Sequence, residues 1–204
     1  MNFRIGECTN PYGTTKYTVE KMMMDLAASD PAWSVSLLRY FNPAGCHQSG
    51  DIGEDPLGIP NNLMPYIAQV AIGRRDQISV YGDDYKTRDG TGDRDYVHVM
   101  DLAEGHKAAL DTLLAQSPQH LTLNLGSGVG ASVLDVVNAF SAESGRPIPY
   151  ALTPRRNGDA AITLADPTRA ADLLQWRTKR TLTDICRDGW AWQQANPMGY
   201  RPTT

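Results

Sequence analysis

The stretch that most constrains the fold is NPYGTTKYTVEKMMMDLAA, residues 10–28, followed closely by SVSLLRY, residues 34–40. The first segment has strong helix formers and apolar residues at helical spacing, and we expect its apolar face, including Met22 to Met24, to fill a core. The second segment is a short β-branched and apolar run that fits a buried strand. A helix that leads directly into such a strand is typical of an α/β protein.

Tyr12 and Lys16 stand four residues apart at the start of this helix and therefore share one face. An ammonium group near a phenol favours the phenolate, which is the form that accepts a proton. The pair is a candidate proton-transfer device, although the same spacing also occurs in helices that have no catalytic role.

The rest of the chain continues to alternate between strands and helices. Asn61 or Asn62 is placed to cap a helix over 61–73, and Ser132 opens a later helix with a capping-box pattern. Loops are expected over 41–60 and 82–93. The expected strands cover 78–81, 94–99, 121–125 and 148–152, and the other helices cover 101–114, 168–175 and 182–194.

Composition narrows the functional class. The chain has 204 residues, 41% of them hydrophobic, and a net charge of −4, so no basic stripe points to a nucleic-acid partner. No apolar run approaches the ~20 residues that span a bilayer, and no signal-peptide pattern opens the chain. The three cysteines form no C-x-x-C unit and the histidines have no metal-ligand spacing, so we expect no metal, reduced thiols and a cytoplasmic location.

Three loops carry groups that could bind a ligand. Gly126-x-Gly128-x-Gly130 follows a strand, but its spacing departs from G-x-G-x-x-G, which favours a structural turn over a dinucleotide loop. Arg94 lies in one glycine-rich loop and Arg155 and Arg156 lie in another, and these arginines are either a diphosphate clamp or solvated charges. The acidic residues between 83 and 95 do not follow a calcium-loop register and are expected to be solvated.

Several segments occur together in a fixed order, and the combination is more specific than any one of them. The segments are residues 10–16 (NPYGTTK), 38–43 (LRYFNP), 52–56 (IGEDP), 58–66 (GIPNNLMPY), 89–102 (DGTGDRDYVHVMDL) and 155–159 (RRNGD). With these segments in this order, the chain resembles the UDP-glucose 4-epimerase family, a branch of the extended short-chain dehydrogenase/reductases.

The resemblance implies an α/β fold with two parts. Residues 1–43 would belong to a partial Rossmann-like parallel sheet, and residues 44–204 mainly to a smaller α/β substrate-binding domain. Within the second part, Arg94–Asp111 and Leu121–Gly145 would return to the Rossmann layer. Complete members of the family commonly form homodimers through helices of the Rossmann half, one of which contains Tyr12 and Lys16.

The resemblance also implies a reaction, the interconversion of UDP-galactose and UDP-glucose with bound NAD. Tyr12 would take the proton from the sugar 4-hydroxyl, Lys16 would hold the nicotinamide ribose, and Tyr40 would lie beside the nicotinamide. The residues expected to contact the UDP-sugar are Tyr40, Phe41, Asn42, Asn61, Asn62, Leu63, Ser79, Val80, Tyr81, Arg94, Arg156, Asp159 and Thr163.

The sequence departs from the family in two ways. Residues 1–8 hold no counterpart of the N-terminal Gly-rich half, so we expect exposed strand edges and either aggregation or dependence on a partner. Asp93 precedes Arg94 where an apolar residue is usual, and its carboxylate is expected to compete for the guanidinium.

Thr163, where the family has a tyrosine or a small residue, would leave room for UDP-N-acetylhexosamines.

Two other functions stay open at this point. The chain could be an inactive UDP-sugar-binding fragment or one half of a split enzyme, because the Gly-rich half is not found. It could also be another nucleotide-sugar enzyme of the superfamily, such as a dehydratase or decarboxylase. The segment at 59–65 favours the epimerase branch over that second alternative.

Overall fold

The structure is a computed structural model that describes residue 8 and residues 11–115 and 120–200. Helices and strands alternate along most of the chain. The helices are α1 (Pro11–Ser29), α2 (Leu63–Ala71), α3 (Val99–Ala115), α4 (Val133–Ser144), α5 (Thr168–Leu174) and α6 (Leu182–Ala195). The strands are β1 (Val35–Tyr40), β2 (Asn42–Ala44), β3 (Ile78–Tyr81), β4 (Asp93–His98), β5 (His120–Leu125), β6 (Gly130–Ser132), β7 (Tyr150–Thr153) and β8 (Ile162–Thr163).

Strands β1 and β5 pair in parallel, from Val35 opposite His120 to Tyr40 opposite Leu125. Because side chains alternate along a strand, one face of this pair is apolar. That face packs against α3, α5 and Trp176, and we call this cluster the sheet core. The mixed α/β fold with parallel strands is confirmed.

The second cluster, which we call the helical core, gathers α2, α4 and α6 around the parallel pair β3–β7. Phe140 of α4 meets Trp190 of α6 edge to face, with ring centroids 6.2 Å apart. Trp190 and Trp192 are buried, as expected for anchors of the last helix. Helix α4 packs in the helical core and helix α5 packs in the sheet core. The division of the chain at residue 43, with Leu121–Gly145 returning to the Rossmann layer, stays a prediction.

Strand β4 joins the two cores. Its second half, from Tyr96 to His98, pairs in parallel with β2. Its first half, from Asp93, lies between β6, which is antiparallel, and β8, which is parallel. The sequence did not predict β2, β6 or β8, because runs of two or three residues carry too little periodicity to stand out.

The buried carboxylate of Asp95 fixes the loops around β4. It accepts hydrogen bonds from the Ser127 amide and hydroxyl, both at 2.8 Å, and from the amides of Gly128 at 2.8 Å and Ala165 at 3.1 Å. A Cβ on Gly126 would lie 2.9 Å from this carboxylate and 2.5 Å from Ala165. The glycine-rich segment is thus a structural turn wrapped around Asp95, as the spacing favoured, and the expectation that Asp95 is solvated is wrong.

Helix α1 differs from the sequence expectation. No residue of α1 is buried, and Val19, Met22 and Met24 are 53%, 60% and 40% exposed. Among the described residues its main packing partner is β1, where Arg39 forms an ion pair with Glu20. The methionines therefore do not fill a core in this chain.

Of the two predicted helix caps, one forms as expected and the other does not. Ser132 and Asp135 form the expected capping box of α4. Asn62 occupies the position before α2, but its side chain makes no capping bond; its amide instead donates to Glu54 at 3.5 Å. In the described part of the chain, no helix is long and apolar enough to cross a membrane.

Replacing Asp95 tests the role of its carboxylate. We expect Asp95→Ala to lower the free energy of unfolding by about 3 kcal/mol, because four hydrogen bonds to one buried carboxylate are lost. Urea unfolding measures the change. The control Asp111→Ala removes an exposed carboxylate from α3 and should cost less than about 0.5 kcal/mol. Equal, small losses in both variants would contradict the assignment.

A buried histidine makes the stability depend on pH. His98 Nδ1 accepts from the Met100 amide at 3.1 Å, so Nε2 carries the proton and donates to Asp188 at 3.2 Å. Burial lowers the pKa of His98, while the Asp188 carboxylate opposes the shift. Below about pH 6.5 the unfolded chain therefore binds more protons than the folded chain, and stability falls as the pH drops.

The direction of this pH dependence of stability can be measured with the variant His98→Gln. We expect the stability gap between the unsubstituted chain and His98→Gln to narrow from about pH 8 to about pH 6, since only the unsubstituted chain loses the linked stability. The exposed residue His120, changed to Gln, serves as control and should show no such narrowing. A gap that widens at low pH would mean that protonated His98 stabilises the fold through Asp188.

Candidate functional site

A cavity of about 410 Å³ opens beside the helical core, where β3 ends and the loop after β7 begins. In open parallel sheets, ligands bind at the carboxyl ends of strands. Nine of the residues expected at the substrate line it together: Asn42, Asn61, Asn62, Leu63, Ser79, Tyr81, Arg94, Arg156 and Asp159.

Arg94 enters the cavity from β4. Its Nη1 donates to the main-chain oxygen of Asp93 at 2.8 Å and to that of Ala161 at 3.4 Å. Gly92 leaves room for the guanidinium, since a Cβ there would lie 3.1 Å from Nη1. Among the described residues Arg94 has no carboxylate partner, so the expected competition from the Asp93 carboxylate is not found. The guanidinium is held by neutral acceptors and keeps its charge for a ligand.

Arg156 enters from the loop after β7. Its Nε donates to Asp159 at 2.9 Å, and its guanidinium carbon lies 4.7 Å from the ring centre of Tyr81. Cation–π contact and the ion pair both limit the directions that this long side chain can take. Arg94 and Arg156 thus bring two cations from distant parts of the sequence to one cavity, an arrangement suited to a diphosphate.

Aromatic residues complete the walls, and sequence reasoning missed three of them: Tyr66, Tyr85 and Tyr96. Two had signals, because Tyr96 lies two residues after Arg94 on one face of β4, and Tyr66 lies one helical turn after Asn62. Burial raises the pKa of Tyr96 to about 12, so its hydroxyl stays protonated and can donate a hydrogen bond.

The loop before β4 is held by a hydrogen bond within it and by contacts with Ser132 and Arg155 from other segments. Asp89 accepts from the Thr91 amide at 2.9 Å and from the Ser132 hydroxyl. Arg155 pairs with Asp84 and lies 4.1 Å above the ring of Tyr85. Asp84 and Asp89 therefore brace the cavity wall instead of being merely solvated. In the described ranges, no three acidic, histidine or cysteine residues are placed to hold a metal ion.

The candidate proton-transfer pair lies outside the cavity lining. Lys16 Nζ is 5.2 Å from the ring centre of Tyr12, so the two side chains meet as the helical spacing predicts. Tyr12 is 71% exposed. Tyr40, at the end of β1, is half exposed and packs on His106 with ring centroids 5.9 Å apart. Phe41 follows it and does not line the cavity.

Two other predicted contacts do not reach the cavity either. The side chain of Val80 is buried in the helical core, because side chains alternate along β3 and its neighbours Ser79 and Tyr81 take the open side. The Val80 side chain therefore lies away from the cavity, and the contact of this residue with the uracil stays a prediction. Thr163 pairs with Arg94 in the register of β8 and β4, so it lies beside the site without lining it.

Relatives in other organisms are similar along nearly the whole chain. A UDP-glucose 4-epimerase of Bacillus subtilis is 54% identical over 98% of this chain, and one of Drosophila melanogaster is 56% identical over 96%. The chain spans only 58% and 56% of the length of these two relatives. The resemblance to UDP-glucose 4-epimerases is confirmed.

A solved structure agrees with the fold. UDP-glucose 4-epimerase from Bifidobacterium longum, crystallised with NAD+ and UDP, superposes with a TM-score of 0.92 at 49% identity. The superposition covers 96% of this chain and 58% of that one. The family described as GDP-mannose 4,6 dehydratase matches residues 6–189. Because that match takes in most of the sequence, the chain belongs to this family, and within it the chain is similar to UDP-glucose 4-epimerases.

Proposed function

We propose that this chain supplies the UDP-sugar site and the proton-transferring pair of a UDP-glucose 4-epimerase, which interconverts UDP-galactose and UDP-glucose. The observation that carries the proposal is the cavity in which Arg94 and Arg156 meet beside aromatic and amide side chains. The relatives named above favour an epimerase over a dehydratase, although the family description names the latter.

The chain's own residues suggest how the substrate is held. Arg94 and Arg156 would bind the two phosphates, because a guanidinium matches phosphate oxygens with paired donors. Tyr81 and Ser79, on the open side of β3, would flank the uracil, and Asp159 would accept from a ribose hydroxyl. Asn61 and Asn62 precede α2, where free backbone amides add to the positive field.

Proton transfer would belong to Tyr12. The Tyr12 phenolate would take the proton of the sugar 4-hydroxyl and become the neutral phenol, and the ammonium of Lys16 would stabilise that phenolate beforehand. Their 5.2 Å approach supports this pairing. The sugar must therefore extend from the cavity toward α1, past Asn42 and Phe41, for the reacting atoms to meet.

The described residues fit the nicotinamide end of NAD. Lys16 is an exposed cationic donor suited to the nicotinamide ribose, and Tyr40 presents an exposed ring for the nicotinamide. The glycine-rich turn at 126–130 does not fit the cofactor's diphosphate, because the Asp95 carboxylate occupies it. The chemistry that NAD supplies when bound is reversible acceptance of hydride.

One observation favours a second function, UDP-sugar binding without turnover. Tyr12 and Lys16 lie outside the cavity lining, and Tyr12 is largely exposed. A chain that binds the nucleotide through the cavity but leaves this pair solvated would be an inactive binding fragment or half of a split enzyme.

Three further parts of the proposal concern the oligomeric state, the location and the range of substrates. The exposed apolar residues Val19 and Met22 on α1 support a homodimer formed through this helix. The free thiols Cys46 and Cys186 support a reducing, cytoplasmic location. Thr163, small and next to Arg94 in register, supports acceptance of UDP-N-acetylhexosamines.

Arginine substitutions test the nucleotide site. We expect Arg94→Gln and Arg156→Gln each to weaken UDP binding about tenfold or more, since each removes a charge-assisted hydrogen bond to phosphate. Isothermal titration calorimetry measures the dissociation constant. Arg146→Gln is the matched control, because Arg146 is exposed after α4 and does not line the cavity. A larger loss in Arg146→Gln than in Arg156→Gln would overturn the assignment.

Turnover tests the role of Tyr12. With NAD added, we expect the chain to convert UDP-galactose to UDP-glucose, and Tyr12→Phe to slow that conversion by about 10²- to 10⁴-fold because the base is lost. Tyr17→Phe, on the same helix, should retain the rate. Equal rates for Tyr12→Phe and the unsubstituted chain would exclude Tyr12 as the base. UDP binding without any conversion would favour the second function.

A further inference from the structure

We propose that residues 196–200, here called the terminal clasp, position the loop that carries Asn61 and Asn62 to the cavity, with Tyr200 as the principal positioning residue. This loop, residues 51–62, contains no helix or strand. The inference rests on the proposed function, because it assigns the clasp to the nucleotide site described above.

Tyr200 holds the loop by its hydroxyl. The hydroxyl accepts a hydrogen bond from the Gly53 amide at 2.9 Å and donates to the Gly53 main-chain oxygen at 3.2 Å. Both polar backbone groups of one loop residue are therefore satisfied by a single side chain far away in sequence. Such a pairing fixes the orientation of the loop backbone as well as its position.

A second contact lies two residues further along the loop. The Tyr200 amide donates to the Asp55 carboxylate at 3.0 Å. Gly199 has φ of +79°, and a Cβ there would lie 2.2 Å from that carboxylate. Glycine is thus required at 199 both by the backbone conformation and by the closeness of Asp55.

The clasp is itself anchored on the helical core. The ring of Tyr200 packs on Trp192 of α6 with centroids 5.5 Å apart, and Trp192 is buried. Gly53 lies flat against the same indole, since a Cβ there would come within 2.2 Å of it. Asn196 adds a bond to the Gly50 main-chain oxygen at 3.4 Å. The loop is therefore sandwiched between the clasp and α6.

The middle of the loop, residues 57–59, is largely exposed. Leu57 and Ile59 are 87% and 70% exposed, and Gly58, in the left-handed conformation, has open space around it. Past this stretch, Ile59 to Asn62 line the cavity. Asn62 also bonds to Glu54, next to Gly53, at 3.5 Å. If Gly53 and Asp55 lost their contacts with the clasp, the segment that leads to Asn61 and Asn62 would become mobile. Binding would then have to order this segment again, and that cost would lower the affinity for the nucleotide.

The experiment compares Tyr200→Phe, which keeps the ring on Trp192 but loses both hydroxyl bonds, with Tyr200→Ala, which loses the ring as well. Hydrogen–deuterium exchange of the full chain without ligand reports the loop, through peptides that contain Gly53 and Asn61. UDP titration reports the site. Tyr150→Phe and Tyr150→Ala are matched controls, because Tyr150 is exposed on β7 and does not line the cavity.

We expect exchange over 51–62 to quicken and UDP binding to weaken about twofold in Tyr200→Phe and about tenfold in Tyr200→Ala, with both controls unchanged. A clasp that only stabilises the fold would lower the melting temperature and leave local exchange and UDP affinity as they were, which would overturn the inference. Failure of the unsubstituted chain to bind UDP would instead overturn the proposed function, and loop exchange would still decide whether the clasp holds the loop.

Discussion

The rest of the structure depends on the buried carboxylate of Asp95. A charge removed from water is costly unless donors surround it, and here four hydrogen bonds from Ser127, Gly128 and Ala165 do so. Because these donors come from the turn after β5 and from the segment before α5, the carboxylate ties the sheet core to the strand that enters the helical core. The glycine-rich turn exists to approach this charge closely.

The position of Arg94 in the cavity follows from the fixed position of Asp95 in β4. Arg94 is the neighbour of Asp95 in β4, so the strand that is fixed on one face by Asp95 presents Arg94 on the other. Main-chain oxygens of Asp93 and Ala161 then aim the guanidinium without neutralising it. Arg156 arrives from a separate loop and is oriented by Tyr81 and Asp159. Two independently braced cations can bind a diphosphate with little reorganisation.

The sequence predicted long periodic elements and the residues of the cavity far better than it predicted packing. Strand β3 has the predicted bounds, and nine of the residues that the family resemblance implied at the substrate line one cavity. Burial of α1 could not be predicted, because an apolar stripe shows that a helix can pack and not what covers it. The burial of Asp95 was not predicted, because a group of acidic residues does not show which carboxylate accepts hydrogen bonds from distant parts of the chain. The burial of the Val80 side chain follows from the alternation of β3, which the prediction for residues 79–81 did not take into account.

The measurement that tests the central claim most directly is a crystal structure of this chain with UDP-glucose. The account predicts nucleotide density in the cavity beside the helical core, with the diphosphate between Arg94 and Arg156 and the sugar directed toward Asn42 and α1. Nucleotide bound at the glycine-rich turn, or outside the cavity, would contradict the account.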